Sequence, residues 1–413
     1  MQAPDPARQH AVMDPAHRSD AMPFRLSGDD LATSIKGAVH IEVIGSGAIP
    51  RRLNPDMARR AHSQDLELTS AQAAGVTMEL LTSASVLEIE AHLTRLTYNA
   101  DTPPASEWVV ETPDLYVAVG ADPADGDLAV AQPDGTFETR PGGPSTVSVR
   151  IGTSSSARLV RVWLPHNAEV HVTAVRADAL LTPAEAGTAR PRWVHHGSSI
   201  SHCTDIASPR DIWPSEVASD LGLDAINLGY AGNALLDPFT AACIRDLPAD
   251  VITLKLGINV VNRDAFTART FAPALHGFLD VIRIGHPATP IALITPMWCG
   301  LHEHTPGPTA QDAESGRFRA AASTAPDRLT LTKVRQLVRD VADLRGDSAL
   351  HLVDGLSLLG PDDAHLLYDD LHPDEEGCAL VGRRFAGYAR DCDTALGRAF
   401  APALASDRPL ETN

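Results

Sequence analysis

Apolar and polar residues alternate over short runs in the first half of the chain. The clearest run is Leu87–Leu93, in which every second residue is apolar and the residues between are Glu or His. A period of two is typical of a half-buried strand. Five further runs have strand length: Val39–Ile44, Leu115–Val119, Thr146–Ile151, Leu159–Leu164 and Glu169–Val175. With turn-forming clusters such as Pro133-Asp-Gly135 between them, they predict a β-sandwich, or jelly roll, over residues 31–182.

The pattern changes in the second half. Four apolar runs there have strand length, namely Asp224–Leu228, Val251–Leu256, Ile291–Ile294 and Leu350–Val353. Segments of helical length lie between or beside them: Asp211–Leu221, Pro238–Leu247, Ala265–Ile284 and Leu331–Leu344. Strands that alternate with helices predict an α/β domain over residues 193–395, with a parallel sheet covered on both faces.

The remaining segments carry no apolar period. Residues 1–30 are rich in proline and charge and are predicted to be a flexible leader. Residues 183–192 are small, polar and bounded by proline, which is typical of a linker, and residues 396–413 are assigned to a tail. A chain of 413 residues is longer than one hydrophobic core usually supports, which agrees with two domains.

The composition indicates which classes of binding partner and which cellular compartment are expected. A formal charge of −19 argues against nucleic acid and against an anionic membrane surface. The N-terminal stretch lacks the apolar core of a signal peptide, and no run approaches the roughly 20 apolar residues that span a bilayer. The five cysteines are widely spaced and include no CxxC pair, so reduced thiols are expected. These features favour a cytoplasmic protein.

Candidate chemistry gathers where the predicted parallel strands end. Gly197-Ser-Ser199 follows the first strand, Gly232 lies in the loop after the second, and Gly257-Ile-Asn259 follows the third. Asp369-Asp-Leu-His372 precedes a final predicted helix. Because such sheets open into a crevice at the carboxyl ends of their strands, we expect these residues to meet there.

In this order, the four motifs resemble those of the SGNH hydrolases, also called the GDSL esterase and lipase family, over residues 193–395. The resemblance implies a flavodoxin-like parallel sheet and chemistry through an acyl-serine intermediate. It further implies that Ser199 is the nucleophile, that His372 is its base, and that Asp369 orients His372. Ser198 occupies the position where the family usually has Asp.

The same resemblance implies an oxyanion hole made by the backbone N–H groups of Ser199 and Gly232 with the Asn259 side chain. Other interpretations exist for some of these residues. Asn259 is also a suitable helix cap, Gly232 a suitable turn glycine, and Asp370 a rival to Asp369.

Two histidine clusters raise the question of zinc. His195, His196 and His202 surround Ser199, and Cys299, His302 and His304 lie after a predicted strand. The spacings match none of the usual zinc patterns, so no metal and no cofactor are expected. We predict instead that the second cluster belongs to a loop lining the acyl pocket, with Trp298 in its wall. Dinucleotide, phosphate-loop and Gly-x-Ser-x-Gly signatures are incomplete or missing.

The first domain carries a second, partial resemblance. Asp114-Leu-Tyr116 resembles the Gly-x-Asp-Leu-Tyr motif of bacterial proteins that fuse a β-sandwich to an SGNH domain, although Thr112 replaces the glycine. That group includes an acyltransferase that moves a salicylyl group from a coenzyme A thioester to a tetracycline intermediate. The alternative for Tyr116 is an ordinary strand aromatic.

These observations predict a serine-dependent carboxylic ester hydrolase acting on a small-molecule ester. One alternative is an acyltransferase that moves an acyl group from a thioester such as acyl-CoA to a hydroxyl of a small molecule. Another is a carbohydrate-binding protein with a vestigial catalytic domain. The motifs do not separate hydrolysis from transfer, since both reactions need the same serine, histidine and aspartate.

Overall fold

The computed structural model describes residues 9–10, 22–98, 104–132, 134–184, 190–312, 315–321 and 327–405. Contacts divide the chain into two compact units. The first, here the β unit, comprises Met1–Pro55, Glu67–Thr188 and Ala207–Arg210. The second, here the α/β unit, comprises Asp56–Leu66, Ala189–Ile206 and Asp211–Asn413. Each unit is described separately below.

Among the described residues, the β unit contains two sheets built mainly from antiparallel pairs. The seven-stranded sheet consists of β1 (Gln9–His10), β3 (Ile35–Lys36), β6 (Thr77–Thr82), β8 (Glu107–Thr112), β9 (Leu115–Gly120), β13 (Arg158–Trp163) and β15 (Leu181–Pro183). The eight-stranded sheet consists of β2 (Phe24–Leu26), β4 (His40–Ile44), β5 (Gly47–Arg51), β7 (Val86–Thr97), β10 (Asp127–Ala131), β11 (Phe137–Arg140), β12 (Ser145–Arg150) and β14 (Ala168–Ala177). Helix α1 (Gly28–Ser34) belongs to this unit, whereas α2 (Pro55–Ala58) and α3 (Gln64–Ala71) each include residues of both units.

The apolar residues of the alternating runs form the core of this unit. Leu87, Ile89 and Leu93 of β7 are fully buried, and they share one apolar cluster with Leu80 and Val160 of the other sheet. The two sheets therefore pack face to face, because each presents its apolar side inward. The predicted N-terminal β-sandwich is confirmed.

The α/β unit is organised around a five-stranded parallel sheet in the order β17–β16–β18–β19–β22. In chain order this is 2-1-3-4-5, the flavodoxin-like arrangement, as predicted. Its strands are β16 (Arg192–Gly197), β17 (Asp224–Gly229), β18 (Val251–Lys255), β19 (Ile291–Ile294) and β22 (Leu350–Val353), and a separate hairpin is formed by β20 (Thr309–Gln311) and β21 (Phe318–Ala320).

Helices alternate with these strands, as the apolar period predicted. They are α4 (Ser199–His202), α5 (Trp213–Leu221), α6 (Pro238–Asp246), α7 (Ile258–Asn262), α8 (Ala268–Gly285), α9 (Leu331–Arg345), α10 (Glu375–Arg390) and α11 (Ala395–Leu404). The longest, α8, begins with Thr267 in a capping box and buries one apolar face. Within the described ranges, no helix is both long enough and apolar enough to cross a membrane.

Some predicted boundaries fall outside the described residues. Most of the leader assigned to residues 1–30 does so, but β1, β2 and the start of α1 lie within that range, and β1 pairs with β9 and β2 with β14. Residues 185–189 of the linker and 406–413 of the tail are also outside. The first part of the tail is helix α11, whose Phe400 is buried against Trp193.

Candidate active site

Ser199 lies at the turn between the central strand β16 and helix α4. The strand ends at Gly197, Ser198 is the N-cap residue, and Ser199 is the first residue of the helix. The carbonyl of Ser198 accepts the N–H groups of Ser201 and His202 at 2.9 and 3.0 Å, which closes the short helix. Ser199 therefore stands at the carboxyl end of the sheet, as predicted for a reactive residue of this fold.

Glycine at position 197 has a steric reason. His195 and Ser201 are joined across it by a hydrogen bond of 2.8 Å between Nε2 and Oγ. A Cβ built on Gly197 would collide with Ser201 Oγ and lie 3.0 Å from Ser201 Cβ. The absent side chain lets α4 fold back onto β16, and this turn presents Ser199.

Asp369 and His372 lie in one tight turn before α10. Asp369 Oδ1 accepts the backbone N–H groups of Leu371 and His372 at 2.9 and 2.6 Å, and Oδ2 lies 2.7 Å from His372 Nδ1. Because a carboxylate only accepts, Nδ1 carries the proton and Nε2 presents its lone pair. The predicted Asp-x-x-His spacing thus brings both side chains to one point.

The His372 imidazole reaches Ser199 on its other side. His372 Nε2 and Ser199 Oγ are 2.9 Å apart, which completes a continuous chain from Asp369 to Ser199. The imidazole also contacts two rings, with Phe318 edge-on at 5.6 Å and Tyr368 stacked at 6.4 Å between centroids. Such a serine–imidazole–carboxylate geometry is suited to removing the hydroxyl proton during attack on an acyl carbon.

Asp369 and Asp370 have different environments. Asp369 is only 6% exposed. Burial raises the pKa of its carboxyl, but the hydrogen bonds and charge of His372 outweigh burial and lower that pKa overall. Asp370 instead pairs with Arg317 through both carboxylate oxygens, at 2.7 and 2.8 Å, and its side chain is 42% exposed. Of the two candidates, Asp369 contacts the imidazole.

The structure also describes the three groups predicted for an oxyanion hole. Asn259 lies in α7, directly after β18, and its Oδ1 accepts the N–H of Ala234 at 3.0 Å from the neighbouring loop. That loop contains Gly232 in a left-handed conformation with φ of 70°. Within the described part of the chain, the amide N–H groups of Ser199 and Gly232 have no hydrogen-bond acceptor.

Lys255, to which the sequence analysis assigned no role, lies directly behind the serine turn. Its Nζ donates to Ser198 Oγ at 3.2 Å, and only 3% of the residue is exposed. Burial lowers the pKa of Lys255 to about 8. The available sequence signal was one charged residue in the buried strand β18. Ser198, in the position where the family usually has Asp, therefore accepts a hydrogen bond from a buried amine.

His195, one of the histidines near Ser199, is held in a hydrogen-bonded network. Trp193 Nε1 donates to Thr253 Oγ1 at 2.8 Å, and this hydroxyl lies 2.7 Å from His195 Nδ1. With His195 Nε2 bonded to Ser201, both imidazole nitrogens have partners. Burial and the charge of Lys255 keep the pKa of His195 well below its usual range, so this histidine is neutral at pH 7.

Within the second cluster, His302 and Cys299 are buried and His304 is exposed. His302 Nδ1 and Nε2 lie 3.0 Å from Thr305 O and 2.6 Å from Thr309 Oγ1, and burial raises the pKa of Cys299 to about 12. Among the described residues, no three His, Cys, Asp or Glu side chains form a metal-binding group.

A small cavity lies beside the serine turn. Its lining is mostly apolar and includes Trp298, the residue predicted for an acyl-pocket wall, and Ile200, which directly follows Ser199. Lys255 provides the ammonium group of the lining. The remaining lining residues are Leu256, Ile258, Pro296, Met297 and Cys299.

Tyr116 is a buried residue of β9 in the β unit. Its hydroxyl lies 3.1 Å from Ser208 Oγ, in the segment Ala207–Arg210 that belongs to the same unit. Arg210 of that segment donates to Glu111 of β8 at 3.1 Å. The Tyr116 ring is therefore packed in the β unit while its hydroxyl forms a hydrogen bond. Asp114 of the same motif is exposed.

A flavodoxin-like sheet with serine, histidine and aspartate joined at its carboxyl edge defines an enzyme of the serine esterase and acyltransferase class. Residues 196–380 match the sequence profile of the GDSL-like lipase/acylhydrolase family. The match includes all five residues predicted for the site: Ser199, Gly232, Asn259, Asp369 and His372.

Several solved structures are similar to this chain over most of its length. The salicylyl-acyltransferase SsfX3 from a tetracycline biosynthetic pathway is 25% identical with a TM-score of 0.71, and the match covers 89% of this chain and 96% of that one. A GDSL-like lipase candidate from Bacteroides ovatus ATCC 8483 is 16% identical with a TM-score of 0.61, covering 89% and 97%. A family two carbohydrate esterase from Cellvibrio japonicus is 10% identical with a TM-score of 0.55, again covering 89% and 97%. A comparison with curated proteins gave no significant match.

Proposed function

We propose that this protein is a carboxylic ester hydrolase that works through an acyl-serine intermediate on Ser199. The observation that carries the proposal is the unbroken chain Asp369–His372–Ser199, with contacts of 2.7 and 2.9 Å. In this assignment Ser199 is the nucleophile, His372 the general base and Asp369 the group that orients His372. The substrate class is a small-molecule ester or acyl thioester.

In the acylation step, Ser199 Oγ attacks the acyl carbon while its proton passes to His372 Nε2. The resulting imidazolium is stabilised by the buried Asp369 carboxylate 2.7 Å away. The oxyanion then accepts hydrogen bonds from the N–H groups of Ser199 and Gly232 and from the Asn259 amide. As the tetrahedral intermediate collapses, His372 gives its proton to the leaving oxygen or sulfur.

Deacylation reverses these roles with a new nucleophile. His372 takes a proton from water, and the hydroxide formed in the transition state attacks the acyl carbon of acyl-Ser199. Breaking the Ser199 ester bond returns the proton to Oγ and releases a carboxylic acid. The same residues serve both steps because the reaction is chemically symmetric around the acyl-serine.

The second candidate function is acyl transfer to a hydroxyl group. It is supported by the likeness to the salicylyl-acyltransferase SsfX3 over 89% of this chain at 25% identity. In that reaction, a bound alcohol replaces water in the deacylation step and His372 removes the alcohol proton. An acyl thioester such as acyl-CoA would be the donor.

Pre-steady-state hydrolysis of a p-nitrophenyl ester tests the shared chemistry. A burst of nitrophenolate equal to the enzyme concentration is expected when deacylation is slower than acylation. Ser199→Ala should abolish both the burst and the turnover, whereas Ser198→Ala should retain them because Ser198 Oγ faces Lys255. Unchanged turnover in Ser199→Ala would refute the proposed nucleophile.

Product analysis separates hydrolysis from transfer. The protein is incubated with short and aromatic acyl-CoA thioesters or simple esters, with and without hydroxyl acceptors. Hydrolysis predicts free acid at a rate independent of the acceptor. Ester product that increases with acceptor concentration, at the expense of free acid, would establish transfer instead.

A further inference from the structure

An ion pair lies beside the loop that contains Gly232. Asp65 belongs to Asp56–Leu66, a segment far earlier in the chain that is nevertheless part of the α/β unit. Its Oδ2 accepts from Arg263 Nη2 at 2.6 Å and from Asn233 Nδ2 at 3.2 Å. One carboxylate oxygen of Asp65 therefore contacts the side chain of Arg263, which follows the helix of Asn259, and the side chain of Asn233, which follows Gly232.

Arg263 links the end of helix α7, which contains Asn259, to the loop that contains Gly232. Its backbone N–H donates to the carbonyl of Asn259 at 3.0 Å, and its side-chain Nε donates to the carbonyl of Gly232 at 3.2 Å. The guanidinium also covers the Cα of Gly232, since a Cβ built there would lie 2.5 Å from Nη2. Gly232 has φ of 70°, a conformation that glycine adopts readily and that needs external contacts to be fixed.

We propose that Asp65 and Arg263 are positioning residues that hold the Gly232 peptide in the geometry of the oxyanion hole. Asp65 orients the guanidinium, and the guanidinium contacts Gly232, while the backbone N–H of Arg263 ends helix α7 by donating to the carbonyl of Asn259. This inference rests on the proposed function. It assigns a role in the reaction to a segment that lies outside residues 196–380, the region matched by the family.

A purely structural role explains this arrangement less well. The Arg263 side chain is 49% exposed and the Asp65 side chain 15%, so solvent partly screens this ion pair and its contribution to folding stability is modest. Loss of the ion pair should affect the reaction rate more than it affects folding stability, because small displacements of an oxyanion-hole donor reduce the rate strongly. Loss of the pair should therefore lower kcat far more than it lowers the melting temperature.

The test compares Arg263→Met, Asp65→Ala and the double variant in hydrolysis of p-nitrophenyl acetate. Each single variant should lose about 10- to 100-fold in kcat with little change in KM, because the donor acts mainly in the transition state. The double variant should lose no more than the worse single one, since both act through Gly232. Arg263→Lys, which keeps the charge but loses the planar fork, should fall between wild type and Arg263→Met.

Two controls separate positioning from folding. Arg390→Met removes another exposed ion pair of the same unit, with Asp220 at 2.8 Å, and should leave kcat unchanged. A trifluoromethyl ketone inhibitor, whose tetrahedral adduct needs the oxyanion donors, should bind Arg263→Met more weakly by the same factor as kcat/KM falls. A variant that is only partly unfolded would not be expected to lose inhibitor affinity and kcat/KM by the same factor.

The outcomes are distinct. An active wild type whose Arg263 and Asp65 variants all keep kcat within about twofold would overturn the positioning role and leave the proposed function intact. A wild type that turns over no ester and is not inhibited by the ketone would overturn the proposed function, and the positioning role with it.

Discussion

His372 Nε2 lies 2.9 Å from Ser199 Oγ, although 173 positions of the chain separate the two residues. Ser199 is placed by the end of β16 and His372 by the turn before α10. Each residue is fixed by local hydrogen bonds within its own turn. The contact therefore joins two elements that are each held by their own hydrogen bonds, and the predictions below depend on it.

Asp369→Asn should reduce kcat by about 10⁴-fold with little change in fold. An asparagine at this position keeps an oxygen for the N–H groups of Leu371 and His372, but its amide would donate to His372 Nδ1 and move the proton to Nε2. The measurement is steady-state ester hydrolysis, with circular dichroism as the check on folding. Asp370→Asn is the matched control, since Asp370 pairs with Arg317, and it should stay near wild type.

Asn259→Asp should lower kcat by roughly 10²- to 10³-fold, because it removes one oxyanion donor. The aspartate keeps the acceptor oxygen that holds Ala234 N–H, so the loop should retain its position. KM should change little for a group that acts in the transition state. A variant with wild-type kcat would show that Asn259 serves as a local loop contact and not as an oxyanion donor.

Lys255→Met should make the protein more stable at pH 7. Burial lowers the pKa of Lys255 from 10.5 to about 8, so the folded state binds this proton less tightly than the unfolded state does. Its contribution to stability therefore rises with pH between about 8 and 10.5. The penalty at neutral pH is on the order of 3 kcal/mol, and methionine removes it.

Urea unfolding at pH 7 and at pH 10.5 measures this effect. The difference in unfolding free energy between Lys255→Met and wild type should be largest at pH 7 and should shrink toward zero at the higher pH. Lys36→Met provides a control, because Lys36 is partly exposed and donates to the Thr33 carbonyl. A Lys255→Met protein that is less stable than wild type at pH 7 would contradict the expected desolvation penalty.

Much of the fold follows from sequence pattern. The alternation of Leu87, Ile89 and Leu93 predicted β7, and the alternation of apolar runs with helical segments predicted the parallel sheet. These signals are strong because burial of one strand face leaves a direct period in the sequence. The order of motifs at strand ends likewise indicated which residues the carboxyl edge of the sheet would bring together.

The contacts behind the site could not be predicted in that way. Ser198 and Lys255 meet because adjacent strands β16 and β18 pair in one register, and register is a property of the sheet as a whole. Asp65 reaches Arg263 from a segment nearly two hundred positions earlier, at a separation of 198. Such pairs depend on how distant elements pack, and they leave no periodic signal.

Labelling with a fluorophosphonate tests the central claim most directly, because this probe forms a covalent bond only with an activated serine. Intact-mass measurement should show one adduct on the wild-type protein, and peptide mapping should place it on Ser199 and not on Ser198. Ser199→Ala should remain unlabelled, and His372→Ala should label much more slowly. An adduct on Ser198, or equal labelling of wild type and Ser199→Ala, would contradict the assignment of Ser199 as the nucleophile.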